Sequence, residues 1–265
     1  MIILHPHEKK AIKCAIFDFD GTLSTLRCGW EEVMRPLMYE CITGDKQLSE
    51  SESRRIKANI YAYVDESTGI QTIGQMKWLA NAVKEYGFNP GASDDPWFYK
   101  AEYNRRLMEY VAVERDKLIK GEIERETYLI RGSEEFLIAL KNRGIKLFAA
   151  SGTDEEDVIK ESTALGLAKY FDEIAGSKPH SEQCSKEEVI NRLLHENSEM
   201  IVIGDGKVEI QLGRENGALT LGVASDEQAR QGVNPVKEKR LTVAGAHAIV
   251  GDFGNVDEII KWMQV

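Results

Sequence analysis

The stretch Ala15-Ile16-Phe17-Asp18-Phe19-Asp20-Gly21-Thr22-Leu23 joins an apolar run to two carboxylates and a Gly-Thr turn. Side chains alternate along a strand, so Asp18 and Asp20 should project to the same side. Two like charges so close together are costly unless a cation lies between them, and Mg²⁺ prefers oxygen ligands of this kind. Ligands of open parallel sheets bind at the carboxyl ends of the strands. The stretch therefore predicts a cation site at the end of a strand, although the same acids could simply cap the next segment.

The remaining chain divides into a helical block and an alternating block. Between residues 26 and 129, apolar residues recur at three- and four-residue spacing, which predicts helices. After Gly132 strands alternate with helices, which predicts a parallel sheet with helices on both faces. We predict strands at residues 11–19, 145–150, 200–203, 218–224 and 248–250, a short apolar segment at 170–175, and helices at 133–142, 155–164, 186–195, 208–216 and 256–263.

These patterns predict an α/β fold with a three-layer, Rossmann-like parallel sheet as its core and an α-helical cap inserted after the first strand. The core would comprise residues 1–25 and 130–265, and the helical cap domain residues 26–129. An insertion at the mouth of an active site is a natural place for a lid.

Composition narrows the classes of partner. The chain has 265 residues and a net charge of −10, which disfavours binding to nucleic acid or an acidic membrane because phosphate groups attract Lys and Arg. No apolar run approaches the roughly 20 residues of a membrane span, and the apolar start of the chain is too short for a signal peptide. The four cysteines show no CxxC spacing. We therefore expect a cytoplasmic protein with reduced thiols.

Two further stretches place chemistry at predicted strand ends. In Phe148-Ala149-Ala150-Ser151-Gly152-Thr153 a hydroxyl and a backbone N–H could cradle a phosphate, although a plain helix N-cap has the same residues. In Ile201-Val202-Ile203-Gly204-Asp205-Gly206 a buried strand ends in an acid, and Glu209 follows one helical turn later on the same face. Taken alone, Gly-Asp-Gly is typical of a turn.

Together the three stretches resemble the motifs of the haloacid dehalogenase (HAD) superfamily, in the phosphatase branch with an inserted helical cap, similar to phosphoglycolate phosphatases. The resemblance covers roughly residues 11–25 and 130–265. It implies an active-site lysine, for which the chain offers Lys178 in Ser-Lys-Pro-His and Lys186 at the start of a predicted helix. Many members of the superfamily carry this lysine in a Lys-Pro pair, which favours Lys178, whereas others carry it at the start of the helix before the last motif, which favours Lys186. The spacing from Lys186 to Asp205 leaves room for one helix, a turn and one strand, so we favour Lys186 and expect the other lysine to be a solvated surface charge.

The resemblance implies a two-step phosphoryl transfer. Asp18 would be the nucleophile, and Asp20 the acid that protonates the leaving oxygen and then activates water. Ser151, Gly152 and Lys186 would bind the phosphoryl group. Mg²⁺ would be held by Asp18, Asp205 and the backbone carbonyl of Asp20. The family commonly has Asp where this chain has Glu209, and the longer side chain favours an indirect role in orienting a metal-bound water or the lysine.

The implied function is a Mg²⁺-dependent phosphatase acting on a small phosphorylated metabolite such as a sugar phosphate. A sugar-phosphate mutase would share all the motifs, and a catalytically silent binding protein is a third reading. Asp20 argues against the dehalogenase branch, which uses no second acid there and no metal. Contacts from the cap to the substrate could come from its basic residues, although such residues usually lie on solvated helix faces. The candidates include Arg27, Lys77, Arg105 and Arg106.

Overall fold

The computed structural model describes residues 1–7, 11–178, 185–196 and 199–265. Within these ranges seven strands form one sheet, in the order β1-β7-β6-β5-β2-β3-β4, and every neighbouring pair is parallel except β1 with β7. The strands are β1 (Ile2–Ile3), β2 (Cys14–Phe17), β3 (Lys146–Asp154), β4 (Glu173–Ser177), β5 (Met200–Gly204), β6 (Leu219–Val223) and β7 (Ala248–Val250). The predicted parallel α/β core is therefore confirmed. The antiparallel edge strand β1 was not predicted, because two residues are too short to show an alternating pattern.

Strand β2 lies inside the sheet, between β3 and β5. All four of its residues are buried, as expected for a parallel strand covered on both faces. Phe17 pairs with Ala149 of β3 and with Ile203 of β5, so the carboxyl ends of these three strands lie side by side. This register brings the residues that follow each strand to one edge of the sheet.

The described residues contain ten α-helices, and the five whose bounds were predicted begin and end within one residue of those positions. Helices α1 to α4 fall in the block that was predicted to be helical without individual bounds. Helix α9 was not predicted, because its apolar residues are few and two of them, Val236 and Val243, are exposed. It begins with Pro235 after Asn234, whose side chain accepts hydrogen bonds from the N–H groups of Val236 and Lys237. The helices are α1 (Glu31–Thr43), α2 (Glu50–Glu66), α3 (Thr72–Tyr86), α4 (Pro96–Lys120), α5 (Ser133–Lys141), α6 (Glu155–Ala164), α7 (Ser185–Glu196), α8 (Lys207–Glu215), α9 (Pro235–Val243) and α10 (Val256–Met263). No described helix has the length and hydrophobicity needed to cross a membrane.

The chain forms two compact units. The first contains residues Met1–Cys28 and Glu114–Val265, and the second contains Gly29–Val113. The sequence-based bounds of the insert, 26–129, enclose the second unit and add residues that the structure groups with the first. The difference arises because α4 is one continuous helix of 25 residues that runs through the boundary between the units.

In the first unit, the segments that flank the insert are hydrogen-bonded to each other. Ser24 forms an antiparallel bridge with Leu129, and the N–H of Thr25 donates to the carbonyl of Tyr128 at 2.8 Å. In the second unit, Tyr63 of α2 stacks on Trp78 of α3 with 4.1 Å between ring centroids. Each unit therefore has its own internal packing.

Candidate active site

Asp18 is the first residue after β2, and the structure buries it at the carboxyl edge of the sheet. Its N–H continues the strand ladder by donating to the carbonyl of Ile203 at 2.9 Å. Its carboxylate Oδ1 lies 2.9 Å from Nζ of Lys186, and the Thr22 hydroxyl donates to Oδ2 at 3.5 Å. The predicted nucleophile is thus fixed by a strand end on one side and a lysine on the other.

Of the two candidate lysines, Lys186 lies in this site. It belongs to the first turn of α7, is buried, and its Nζ donates to Glu209 Oε2 at 3.2 Å in addition to its pair with Asp18. Burial alone would lower the pKa of Lys186, but the charges of Asp18 and Glu209 outweigh it and raise the pKa well above the usual range. Lys178 is exposed just after β4, and residues 179–184 lie outside the described part of the chain.

Asp205 and Glu209 face Asp18 from the end of β5 and the first turn of α8. A carboxylate oxygen from each of the three acids lies within 4.8 Å of the other two. Glu209 also accepts a hydrogen bond from the N–H of Gly206 at 2.7 Å, which caps α8. A Cβ at Gly204 would lie 2.4 Å from Glu209 Oε1, so the glycine leaves the room that the longer glutamate needs.

The charge balance of this cluster fits a divalent cation. Burial raises the pKa of Asp18 well above its usual range, and the neighbouring carboxylates of Glu209 and Asp205 add to that effect against the opposing charge of Lys186. With all groups ionised, as when a cation is bound, the ion pairs of the site join four carboxylates to two ammonium groups. The formal excess is two negative charges, on oxygen ligands that suit Mg²⁺. The paired groups are Asp18, Asp205, Glu209, Glu227, Lys186 and Lys237.

Lys237 is a site residue that the sequence analysis missed. Its Nζ lies 2.6 Å from Asp205 Oδ2 and 2.6 Å from Glu227 Oε1, and it donates to the Ser225 hydroxyl at 3.2 Å. Burial acts to raise the pKa of Asp205, but Lys237 prevails and lowers it. Lys237 comes from α9, 32 residues beyond Asp205, and carries no local motif. The sequence signal that could have indicated helix α9 is Asn234-Pro235, a pair that is typical of the start of a helix.

Asp20 occupies a separate part of the site. Its Oδ2 accepts hydrogen bonds from the hydroxyls of Ser151 at 3.2 Å and Thr153 at 2.9 Å. Among the described residues its buried Oδ1 has no hydrogen-bond partner. The carboxylate of Asp20 is not part of the three-acid cluster, and this agrees with the resemblance, which assigns only the backbone carbonyl of Asp20 to a metal.

Two further residues of the predicted phosphate motif have partners in the site. The sequence analysis gave Thr153 no role, although its hydroxyl binds Asp20. The carbonyl of Gly152 accepts a hydrogen bond from the Ser177 hydroxyl at 2.8 Å.

Arg27 lies in the first unit, buried, and not on a solvated face of the insert. Its guanidinium binds both carboxylate oxygens of the fully buried Glu161, at 2.6 and 3.0 Å, and lies 3.5 Å from Asp157. Its Nε is 3.9 Å from Asp20 Oδ1. Burial raises the pKa of Glu161 to about 7, although Arg27 acts to lower it. The buried pair therefore lies next to the carboxylate of Asp20.

Three solved structures have a similar fold. The first is a β-phosphoglucomutase from Clostridium difficile, with 18% identity over 96% of this chain and 97% of that chain and a TM-score of 0.62. The second is a predicted phosphoglycolate phosphatase from Haemophilus somnus, with 17% identity over 94% of this chain and 97% of that chain and a TM-score of 0.60. The third is YfnB from Bacillus subtilis, assigned as a HAD-hydrolase and bound to magnesium, with 16% identity over 97% of this chain and 100% of that chain and a TM-score of 0.52. No curated protein matches the chain.

The family model of the haloacid dehalogenase-like hydrolases matches residues 12–217, which include Asp18, Ser151, Lys186, Asp205 and Glu209. The match covers well over half of the sequence, and the fold and the order of the motifs agree with it. This chain belongs to the haloacid dehalogenase-like hydrolases.

Proposed function

We propose that the protein is a Mg²⁺-dependent phosphatase that hydrolyses a small phosphorylated metabolite, such as a sugar phosphate, through an aspartyl-phosphate on Asp18. The observation that carries the proposal is the position of the Asp18 carboxylate. It is buried, touches Lys186, and lies within reach of Asp205 and Glu209, while Asp20 is held nearby by two hydroxyls.

The chain's own residues would divide the chemistry as follows. Asp18 attacks phosphorus, and the bond from phosphorus to the leaving oxygen breaks as Asp20 donates its proton to that oxygen. Asp20 then takes a proton from the water that attacks the aspartyl-phosphate, which releases phosphate and restores Asp18. Ser151 and the Gly152 N–H bind phosphoryl oxygens, and the charge of Lys186 stabilises them.

The donor set of buried carboxylates fits magnesium. Asp18, Asp205 and the backbone carbonyl of Asp20 would hold the ion, and Glu209 would orient a metal-bound water or Lys186. When bound, the ion would offset negative charge on the phosphoryl oxygens. The magnesium-bound structure of YfnB, which has a similar fold, supports this assignment.

A sugar-phosphate mutase is the second candidate, supported by the similar fold of the β-phosphoglucomutase and by the same set of site residues. The two activities differ in their products. Incubation with a hexose 1-phosphate gives free phosphate from a phosphatase and an isomeric hexose phosphate without free phosphate from a mutase.

The test is phosphate release across a panel of phosphorylated metabolites, with Mg²⁺ and with a chelator. Asp18→Asn should abolish release because the amide is nearly isosteric but a poor nucleophile. Asp45→Asn, at an exposed position of the second unit, is the matched control and should behave as wild type. Full activity of Asp18→Asn, or activity that survives the chelator, would overturn the mechanism, and no turnover on any ester would favour a binding protein.

We also propose that the unit Gly29–Val113 selects the substrate. The proposal rests on its insertion directly after the segment that carries Asp18 and Asp20, and on the general role of inserted elements as lids over active sites.

A further inference from the structure

Lys237 is a buried cation that touches a residue of the proposed metal site and lies outside the segment matched by the family model. The residue is 9% exposed, and its Nζ makes two contacts of 2.6 Å, one to Asp205 and one to Glu227. Glu227 and Lys237 both follow residue 217, where the family match ends. The proposed reaction gives no task to Lys237, which contacts Asp205, or to Glu227, which contacts Lys237.

The contact engages one oxygen of a carboxylate that the metal also needs. Lys237 occupies Oδ2 of Asp205, which leaves the other oxygen for a metal ion. An ammonium group and a divalent cation that share one carboxylate lie within a few ångströms of each other. Like charges this close repel each other more strongly in a buried site than in water, because the effective dielectric constant there is lower.

Glu227 gives the ammonium group a second partner at the same distance. The Ser225 hydroxyl supports that position, because it accepts a bond from Lys237 and donates to the carbonyl of Gly21 at 2.5 Å. The pKa of Lys237 is held well above its usual range: burial opposes the charge, but Asp205 and Glu227 outweigh it. If a metal ion weakens the pair between Lys237 and Asp205, Glu227 still provides a negative charge next to the ammonium group.

We propose that Lys237 is a resident counter-ion of Asp205 that competes with the divalent metal for this carboxylate, and that Glu227 keeps the ammonium group when the metal binds. The pair thereby sets the metal affinity of the site below what the carboxylates alone would give. This inference rests on the proposed function only in taking Asp18 and Asp205 as the metal ligands.

The experiment measures metal binding directly, without substrate, by calorimetric titration of the purified full-length protein with MgCl₂. Lys237→Met should tighten Mg²⁺ binding by at least about tenfold, because it removes a positive charge next to the metal. Glu227→Gln should weaken binding several-fold, because it leaves the ammonium group to Asp205 alone. In the double variant the effect of Glu227→Gln should vanish. Lys239→Met, an exposed lysine on the same helix, is the matched control and should bind as wild type.

Weaker or unchanged Mg²⁺ binding by Lys237→Met would overturn the proposal and make Lys237 a support that orients Asp205. So would an effect of Glu227→Gln that persists without Lys237. If Lys237→Met does not fold, Lys237→Arg and Glu227→Gln provide the test. Lys237→Arg keeps the positive charge and should bind Mg²⁺ with nearly the wild-type affinity, whereas Glu227→Gln should bind it more weakly. Any other order of the three affinities would reject the proposed competition.

The outcome is separable from that of the proposed function. A protein that binds Mg²⁺ with the expected order of variants but releases phosphate from no ester keeps the inference and loses the phosphatase. A wild-type protein that binds no Mg²⁺ yet hydrolyses esters in chelator loses the inference and keeps a phosphatase of another mechanism.

Discussion

Lys186 illustrates how one side chain can support a nucleophile and its neighbours at once. It lies between Asp18 and Glu209, and its removal would leave both carboxylates buried without their shared cation. The structure also separates it clearly from Lys178, which is exposed. The two lysines therefore form a natural pair for a test.

Lys186→Met should lower kcat/KM for phosphate release by about 10²–10³-fold, the effect of removing one positioned group from a site that stabilises developing charge. Lys178→Met should leave the rate unchanged. Steady-state kinetics on the best ester of the panel measure both, with thermal unfolding as a check that each variant is folded. A larger loss in Lys178→Met would reverse the assignment.

Arg27 and Glu161 form a second buried arrangement whose effect is on stability. Arg27→Met should lower the free energy of unfolding by about 3–5 kcal/mol at pH 8, the cost of leaving one member of a buried ion pair alone. The loss should be smaller at pH 5. Burial holds the folded-state pKa of Glu161 above the ordinary value of 4.5, so the folded protein binds the proton more tightly than the unfolded chain. The stability from that proton is present below about pH 4.5 and is lost as the pH rises through the folded pKa.

Urea unfolding at the two pH values measures this effect, with Arg143→Met as the control. Arg143 is exposed and donates to the carbonyl of Ala139 one helical turn earlier. An equal loss at both pH values would show that the proton on Glu161 is not the cause.

The site residues differ in how far they could be predicted from sequence. Asp18 and Asp205 follow buried strands that neighbour each other in the sheet, so a local motif and one topological rule place them together. The hydroxyl of Thr153 binds Asp20, and the carboxylate of Glu161 binds Arg27; both partners lie more than 100 residues away in the chain. Lys237 reaches Asp205 from α9, a helix with little apolar periodicity. Such contacts depend on tertiary packing, which no short stretch of sequence records.

At the level of elements, close packing of α8 on the sheet sets a further test. A Cβ at Gly213 would lie 2.7 Å from Thr220 Cγ2 and 3.1 Å from Val202 Cβ, so α8 rests directly on β5 and β6. Gly74 of α3 is also helical, but its Cβ would meet only the flexible end of Ile70, at 3.2 Å.

Gly213→Ala should lower the free energy of unfolding by about 1–3 kcal/mol, because overpacking outweighs the better helix propensity of alanine. Gly74→Ala should raise it by up to about 1 kcal/mol, because there the propensity is not opposed. Urea denaturation of both variants gives the comparison. A stabilised Gly213→Ala would mean that α8 can move away from the sheet at little cost.

Element positions were predictable where the pattern was periodic. The bounds of β7 and α10 agree with the sequence-based ranges, because β7 is a buried apolar run and α10 has strong apolar periodicity. Strand β3 runs four residues further than predicted, through Ser151 to Asp154, with a shift of register on the way. The polar residues there gave no strand pattern, because they belong to the site.

For the whole molecule, the role of the unit Gly29–Val113 can be tested by deletion. The segments on either side are joined by the bond from Thr25 to Tyr128, and Arg27 with its partner Glu161 would be retained if residues 29–123 were replaced. A Gly/Ser linker of about six residues would join Cys28 to Glu124.

The shortened protein should still hydrolyse a small ester such as p-nitrophenyl phosphate and should lose its discrimination among metabolites, because the proposed chemistry uses only residues of the first unit. Circular dichroism checks that the core is folded, and the same deletion carrying Asp18→Asn controls for contaminating activity. A folded core with the full-length order of metabolite preference would place selectivity in the first unit.

Helix α4 has a mechanical consequence. The boundary between the units, at Val113 and Glu114, falls inside its 25 residues, so one of the two covalent connections is a hydrogen-bonded rod and the other is the backbone between Cys28 and Gly29. A continuous helix is stiff because its backbone is hydrogen-bonded, whereas a short loop can change its backbone angles more easily. If the two units move about this boundary, α4 bends or loses helical hydrogen bonds near Val113. Amide hydrogen exchange around Val113 should then be faster than elsewhere in α4. A proline placed there should make the motion easier, because it removes a helical hydrogen bond.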